Sequence, residues 1–331
     1  MELISLLEKA LTARQALLDP KQQTALRLFN GFYEGYPSLS IDLYAATAII
    51  YNYADVPYDG AAAVRTAQEF LRASLPWLKS ILVKVRRGAD AAEKNGKLTY
   101  GQAVDRKIRE HGVWYAIDLT MNRDASLYID TRNLRKWAID TLRGKSVLNT
   151  FAYTGSLGIA ALAGGASRVV QLDRNRDFLN LAKTSCTLNG FPIVKKDYLA
   201  LDFFPAISLL KRENQTFDCI FLDAPFFSTT SKGRVDLQQD STRLINKLRP
   251  LVNDGGWLIA INNALFLSGQ DYMDELEALC HDGHLSLEEL IPIPEDFTGF
   301  ASTRVGNPPV DPSPFNHPTK IAILKVSHRK T

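Results

Sequence analysis

Residues 217–227 read FDCIFLDAPFF, an apolar run that stops at Asp223 and continues through Ala224 and Pro225 into Phe226 and Phe227. A carboxylate held at the tip of a buried strand accepts N–H groups, and an aromatic ring behind it offers a stacking face for a planar base. Pro225 would stiffen the turn so that these acceptors stay aimed. Comparable positions recur along the chain. Asp173 closes SRVVQLD, Asp197 lies in IVKKDYL, and GGWLIAINN ends on Asn262 and Asn263. Between the first apolar run and the second stands a glycine turn, YTGSLG, with Gly155 and Gly158.

Residues 132–331 must position these groups. RNLRKWAIDTLRG reads as a helix and SVLNTFAYTG as a strand running into the turn. SLGIAALAGG follows as a short helix, SRVVQLD as a strand, and RNRDFLNLAKTSCTLNG as a helix stopped by Asn-Gly. IVKKDYL, FDCIFLD and GGWLIAINN continue the strands, with FFPAISLLKREN and DLQQDSTRLINKLRPLV as helices between them. Strand–helix alternation of this kind predicts an α/β, Rossmann-like, doubly wound and mostly parallel sheet, with ligands outside the carboxyl ends of its strands. A proline-rich loop then leads into KIAILKV, expected as an antiparallel edge. Ahead of all this, residues 1–25 read as a helix and residues 26–125 as a smaller α+β domain of short strands around Gly/Pro turns, leaving 126–331 as the catalytic domain.

Asp173 lies eighteen residues beyond Gly155, where a carboxylate accepts both hydroxyls of a ribose. A dinucleotide site shares that acid but also wants GxGxxG, so that backbone closes on a pyrophosphate. YTGSLG lacks the GxG pair and carries no basic residue. The better match is a nucleoside with an amino-acid tail and no phosphates, S-adenosylmethionine. Asp173 would then take the ribose, Asp197 the adenine amine, and the Tyr153–Gly155 turn would pass the methionine end, with Asn149, Phe151 and Thr154 at the same strand end. Acids that merely cap the following helices are the alternative.

The chain resembles the class I methyltransferases that modify bases of 23S ribosomal RNA, the group that holds the large-subunit cytosine-C5 enzymes and the guanine-N7 half of a bifunctional enzyme. The likeness rests on SLYIDTRNLR at 126–135, VLNTFAYTGSLGIAALAGGASRVVQLDRN at 147–175, LNG at 188–190 and FDCIFLDAPFF. It implies that Tyr128, Asp130 and Arg132 line the donor site together with Phe151, Tyr153 and Thr154, and that Asp223 faces the target base. Two departures stand out. The family's N-terminal PUA domain is expected to be missing before LRLFNG, and Asp223-Ala224-Pro225 replaces the usual Asp/Asn-Pro-Pro.

Cytosine-C5 transfer needs a thiolate to add at C6. The three cysteines, Cys186, Cys219 and Cys280, fall in a helix, inside a strand and in a later helix. Transfer to a base nitrogen is therefore expected, with Asp223 and Asn262 as positioning groups. Net charge is only +3, but residues 79–109 hold nine basic residues against three acids. Lys84, Arg86, Arg87, Lys94, Lys97, Arg106 and Lys107 are expected to seat RNA, unless the stretch is simply a solvated connector. Three scattered cysteines fit a reducing, cytoplasmic setting, and no spacing of Cys or His suits a metal. A methyltransferase for small molecules or proteins, a non-catalytic RNA-binding protein on the same fold, and a dehydrogenase remain open as rivals.

Overall fold

The computed structural model describes residues 2–230 and 233–328. The chain divides into two compact units, residues 1–130 with 294–308 and residues 131–293 with 309–331. This division differs from the expected one. The N-terminal helix Leu3–Arg14 is no separate piece, because Leu3, Leu6, Leu7 and Ala10 sink into the core of the first unit. A segment from far along the sequence, 294–308, also belongs there.

The first unit is built on a sheet of β1 (Ala25–Asn30), β2 (Leu39–Tyr44), β3 (Thr47–Asn52), β4 (Ser80–Val85) and β5 (Lys97–Tyr100), in that spatial order. All neighbours are antiparallel except β3 and β4. A parallel pair requires a crossover, which the helix Ala61–Ser74 supplies. β6 (Lys107–Glu110) and β7 (Val113–Ala116) form a separate hairpin. Arg14 ties in the distant segment. Its five N–H groups are all used, by the carbonyls of Ala10, Arg27 and Asp296 and by both oxygens of Glu34. Thr303 donates to Glu34 as well. A buried guanidinium is tolerable only when satisfied in this way.

The second unit carries β8 (Ser146–Thr150), β9 (Arg168–Leu172), β10 (Tyr198–Leu199), β11 (Phe217–Leu222), β12 (Phe227–Thr230), β13 (Gly233–Asp236), β14 (Val252–Asn262), β15 (Leu285–Leu290) and β16 (Lys320–Val326). Seven of these form one sheet in the order β10-β9-β8-β11-β14-β16-β15, while β12 and β13 pair as a hairpin. β10, β9, β8, β11 and β14 run parallel, and β16 is antiparallel to β14. The final strand was expected at the edge. It is an interior strand, because β15 pairs beyond it. Strand order reverses between β8 and β11, which are hydrogen-bonded neighbours, so the crevice for ligand opens at their carboxyl ends. Both strands are almost wholly buried, as a sheet covered by helices on both faces demands.

Candidate active site

The turn after β8 is tightly constrained. Phe151 and Tyr153 both adopt left-handed backbone, at φ 51° and 52°, and Gly155 follows at φ 78°. Bulky residues rarely sit there, and such conformations persist where the surroundings over-determine them. Three supports are visible. The Ala152 amide donates to the Leu172 carbonyl at 2.8 Å, the Gly155 amide to Ala152 at 2.7 Å, and the Tyr153 amide to Asp173 Oδ2 at 2.9 Å. Aromatic packing holds the side chains, with Phe151 stacked on Phe203 at 4.8 Å and Tyr153 edge-on to Phe178 at 4.5 Å.

Beneath the turn lies Gln171, a polar residue inside an apolar strand. Its Oε1 accepts Asn149 Nδ2 at 2.9 Å and its Nε2 donates to the Gly155 carbonyl at 3.2 Å. A Cβ on Gly158 would stand 2.2 Å from Gln171 Nε2, and one on Gly155 2.5 Å from the Ala182 Cβ. Gly158 thus fits against Gln171 of β9, and Gly155 against the helix Arg176–Asn189. Asn149 was expected to touch the donor. It is instead buried within β8 and bonded to Gln171, so it supports the turn from below.

Asp173 follows β9 directly. Oδ1 accepts the Asn175 amide at 2.8 Å and Oδ2 the Tyr153 amide, which leaves a lone pair on each oxygen for two hydroxyls. Burial pushes this carboxyl above its usual range, opposed by the two amides. These features fit a ribose. The half-buried acid is preorganised by backbone, and the turn it fixes is the one that lies across the switch point.

Asp197 is a correction. It precedes β10 rather than following it, is buried, and its Oδ1 accepts Arg168 Nε and Nη2 at 2.9 and 2.8 Å. Arg168 opens β9, so this pair lies toward the amino side of the strands. The short β10 concealed that placement in the sequence.

Asp223 follows β11 at the switch point, half-buried, with Leu222 in register with both Thr150 and Ala260. Thr150 Oγ1 donates to the Phe221 carbonyl at 2.7 Å, locking the two strand ends together. Ala224 is fully buried in the core cluster, while Pro225 is exposed and Phe226 and Phe227 are 44% and 55% exposed. Asn262 is a second correction. Its side chain is buried and turned to backbone, accepting the Ala264 amide at 2.9 Å and reaching the Leu237 carbonyl at a long 3.5 Å. The cysteines lie away from this mouth. Cys219 is buried mid-strand, Cys186 is buried with Sγ 3.1 Å from the Tyr198 hydroxyl, and Cys280 ends the helix Gly269–Cys280.

Sequence reading missed Gln171, Lys320 and the exposed pair Leu265 and Phe266. A glutamine or lysine placed in an apolar strand is the signal that could have found the first two. Tyr128 and Asp130 fall in the first unit, and Arg132 opens the helix Arg132–Thr141 in the second.

The basic stretch is less available than its composition suggests. Lys84 is fully buried, donating to the Asn122 and Asp124 carbonyls at 2.7 and 2.8 Å, and burial lowers it to about 8. It seats no RNA. Arg86 pairs with Asp124 and Arg87 with Asp55, while Lys97 and Arg106 face Glu93 and Asp118. Lys107 and Arg109, two apart in β6, both reach Trp114 of β7, 4.6 and 5.6 Å from its ring centroid.

This fold and site define a class I methyltransferase. The family of S-adenosylmethionine-dependent methyltransferases matches residues 27–301, and the chain belongs to it. Bacillus subtilis YwbD, named as a candidate ribosomal RNA large subunit methyltransferase, is 30% identical over 92% of this chain and 78% of its own length. Ribosomal RNA large subunit methyltransferase I of Alteromonas mediterranea is 30% identical over 67% of this chain and 56% of its own length. For the K/L enzyme of Syntrophotalea carbinolica the match is 31% over 78% of this chain, but only 36% of that protein. Among solved structures, SMU.776, a candidate methyltransferase complexed with SAH, superposes with a TM-score of 0.83 at 23% identity, covering 98% of this chain and 81% of that one. That last likeness shows the fold. The chain is a methyltransferase that uses S-adenosylmethionine as methyl donor. No helix among the described residues is long and apolar enough to cross a membrane.

Proposed function

We propose that this methyltransferase acts on RNA, transferring a methyl group to a base nitrogen, with large-subunit ribosomal RNA as the substrate. The observation that carries the atom choice is the acceptor edge itself: Asp223 stands at the switch point beside two exposed phenylalanines, and all three cysteines lie elsewhere. The names of the relatives supply the substrate class.

When bound, S-adenosylmethionine supplies an electrophilic methyl group. The protein's own part is to hold the ribose at Asp173, fix the Phe151–Gly155 turn, and present the base. Phe226 stacks the base while Asp223 accepts an amine or ring N–H, or takes its proton as the nitrogen is alkylated. Within the second unit, Arg132 adds to the donor site in this reading. Ala224 removes nothing from it, because that position belongs to the core rather than to the site's surface; the non-catalytic alternative loses its motive. In the first unit, Lys107 and Arg109 with Trp114 give the RNA a basic and aromatic contact, with Lys94, Lys97 and Arg106 adding charge. Arg86 and Arg87 contribute less, since carboxylates already face them.

Nucleoside mass spectrometry of ribosomal RNA from cells with and without the protein tests the reading. One methylated nucleoside should disappear and return on complementation. Reversing Lys107 and Arg109 to glutamate should weaken RNA binding and flatten its salt dependence. An unchanged nucleoside profile would refute the substrate.

A further inference from the structure

We propose that Phe266, on the loop after β14, forms a second stacking subsite for a nucleobase of the RNA, and that Lys320 is the positioning residue that holds it there. The inference rests on the RNA-base reading above and adds a residue to its acceptor side.

Four exposed, large apolar side chains follow two neighbouring strands. Phe226 and Phe227 follow β11 at 44% and 55% exposure, and Leu265 and Phe266 follow β14 at 46% and 65%. β11 and β14 are parallel, hydrogen-bonded partners with Leu222 opposite Ala260, so both loops leave the sheet at the carboxyl edge next to Asp223. Apolar rings left in water at that edge are costly unless a flat partner covers them.

A continuous polar brace links the loops. The Leu237 amide donates to the Phe226 carbonyl at 3.0 Å, and the Leu237 carbonyl faces Asn262 Nδ2 at 3.5 Å. Asn262 Oδ1 accepts the Ala264 amide at 2.9 Å, and the Ala264 carbonyl accepts Lys320 Nζ at 3.0 Å. Lys320 also donates to the Pro318 carbonyl at 2.6 Å and lies opposite Asn262 in the β14–β16 register. Ala264 is thereby held from both sides, one residue before Leu265 and two before Phe266. Lys320 is fully buried, and burying an ammonium among carbonyls is expensive. A buried ammonium shared by the Ala264 and Pro318 carbonyls makes sense where the loop's presentation matters. Burial lowers this lysine to about 8, in keeping with the dry setting.

The experiment is steady-state methylation of a ribosomal RNA fragment by the full chain, with donor affinity measured separately by calorimetry. Phe266→Ala is a surface change that should fold. It is expected to raise KM for RNA about 10-fold, as base–aromatic stacking implies, with donor Kd unchanged, and Phe266→Trp should restore wild-type KM. Lys320→Met should raise KM in the same way, and the double variant Lys320→Met/Phe266→Ala should be no worse than Phe266→Ala alone. If Lys320→Met folds poorly, Asn262→Ala releases the same alanine from its other side and should show the same non-additivity. Wild-type kinetics in Phe266→Ala would overturn the subsite while leaving the RNA reading intact. Full additivity would overturn the role of Lys320. A wild-type protein that binds donor but methylates no RNA would overturn the RNA reading and this subsite with it.

Discussion

The Asp173 carboxylate accepts the amide of Tyr153 at 2.9 Å, and Tyr153 is itself one of two aromatic residues held in left-handed backbone. One acid thus shapes the turn and keeps a lone pair on each oxygen for the ribose proposed to bind there. Asp173→Ala should weaken S-adenosylmethionine binding by at least about 100-fold, since two hydrogen bonds to a charged group are lost. Asp173→Asn, which keeps one acceptor oxygen, should fall between. Calorimetric titration of the donor measures both.

In the proposed reading Asp223 has a different task, and its variant should separate binding from transfer. Asp223→Ala is expected to lower kcat at least 100-fold while donor affinity stays within about 3-fold, because a group acting on the acceptor contributes mainly to positioning and charge in the transition state. Single-turnover assays beside donor titration give both values. Lost donor binding with normal turnover would refute this division of labour.

The fit between Gly158 and Gln171 leaves no room. Gly158→Ala should destabilise the protein by about 1–3 kcal/mol through overpacking. Gln171→Ala in the same chain should recover part of that loss, although it frees Asn149. Thermal melts of the two singles and the double variant form the required cycle.

Lys84 gives a pH signature. Its folded value of about 8 lies below the 10.5 of an unperturbed lysine, so the unfolded chain binds more protons between those values. Stability from this group is therefore lost as pH falls toward 8 and fully regained above 10.5. Lys84→Met lacks that term. Its melting temperature relative to wild type should be most favourable near pH 7 to 8 and should decline steadily toward pH 10.5.

Burial raises the Cys219 thiol well above its ordinary value, and Cys186 and Cys280 are raised too. None is primed to attack a pyrimidine. RNA containing 5-fluorocytosine should therefore form no covalent complex with this protein on denaturing gels, and Cys219→Ala should retain activity within about 3-fold.

Most of the second unit was legible because its strands are short apolar runs separated by helices with glycine or asparagine stops. Asp173 was legible for the same reason: it ends an unambiguous strand. Asp197 was misplaced because β10 has only two residues, and so short a strand leaves no periodicity from which to tell its two ends apart. Asn262 sits at a true strand end, yet its side chain turns inward to backbone, a choice made by the loop that follows and invisible in residue spacing. Lys84 looked like part of a basic surface because composition counts charges without sidedness. In β4, an apolar strand with its first five positions buried, alternation offered no outer face to it.

The path of the chain through residues 294–308 has a practical meaning. Arg14, Glu34 and Asn30 are bonded to Asp296, Thr303 and Phe297, so the N-terminal unit is finished only after most of the methyltransferase sheet has been made. During synthesis on a ribosome, the first 130 residues must wait for a strip of fifteen that emerges more than 160 positions later. A protease nick within that strip would fall inside the N-terminal unit, and outside every strand of the second one.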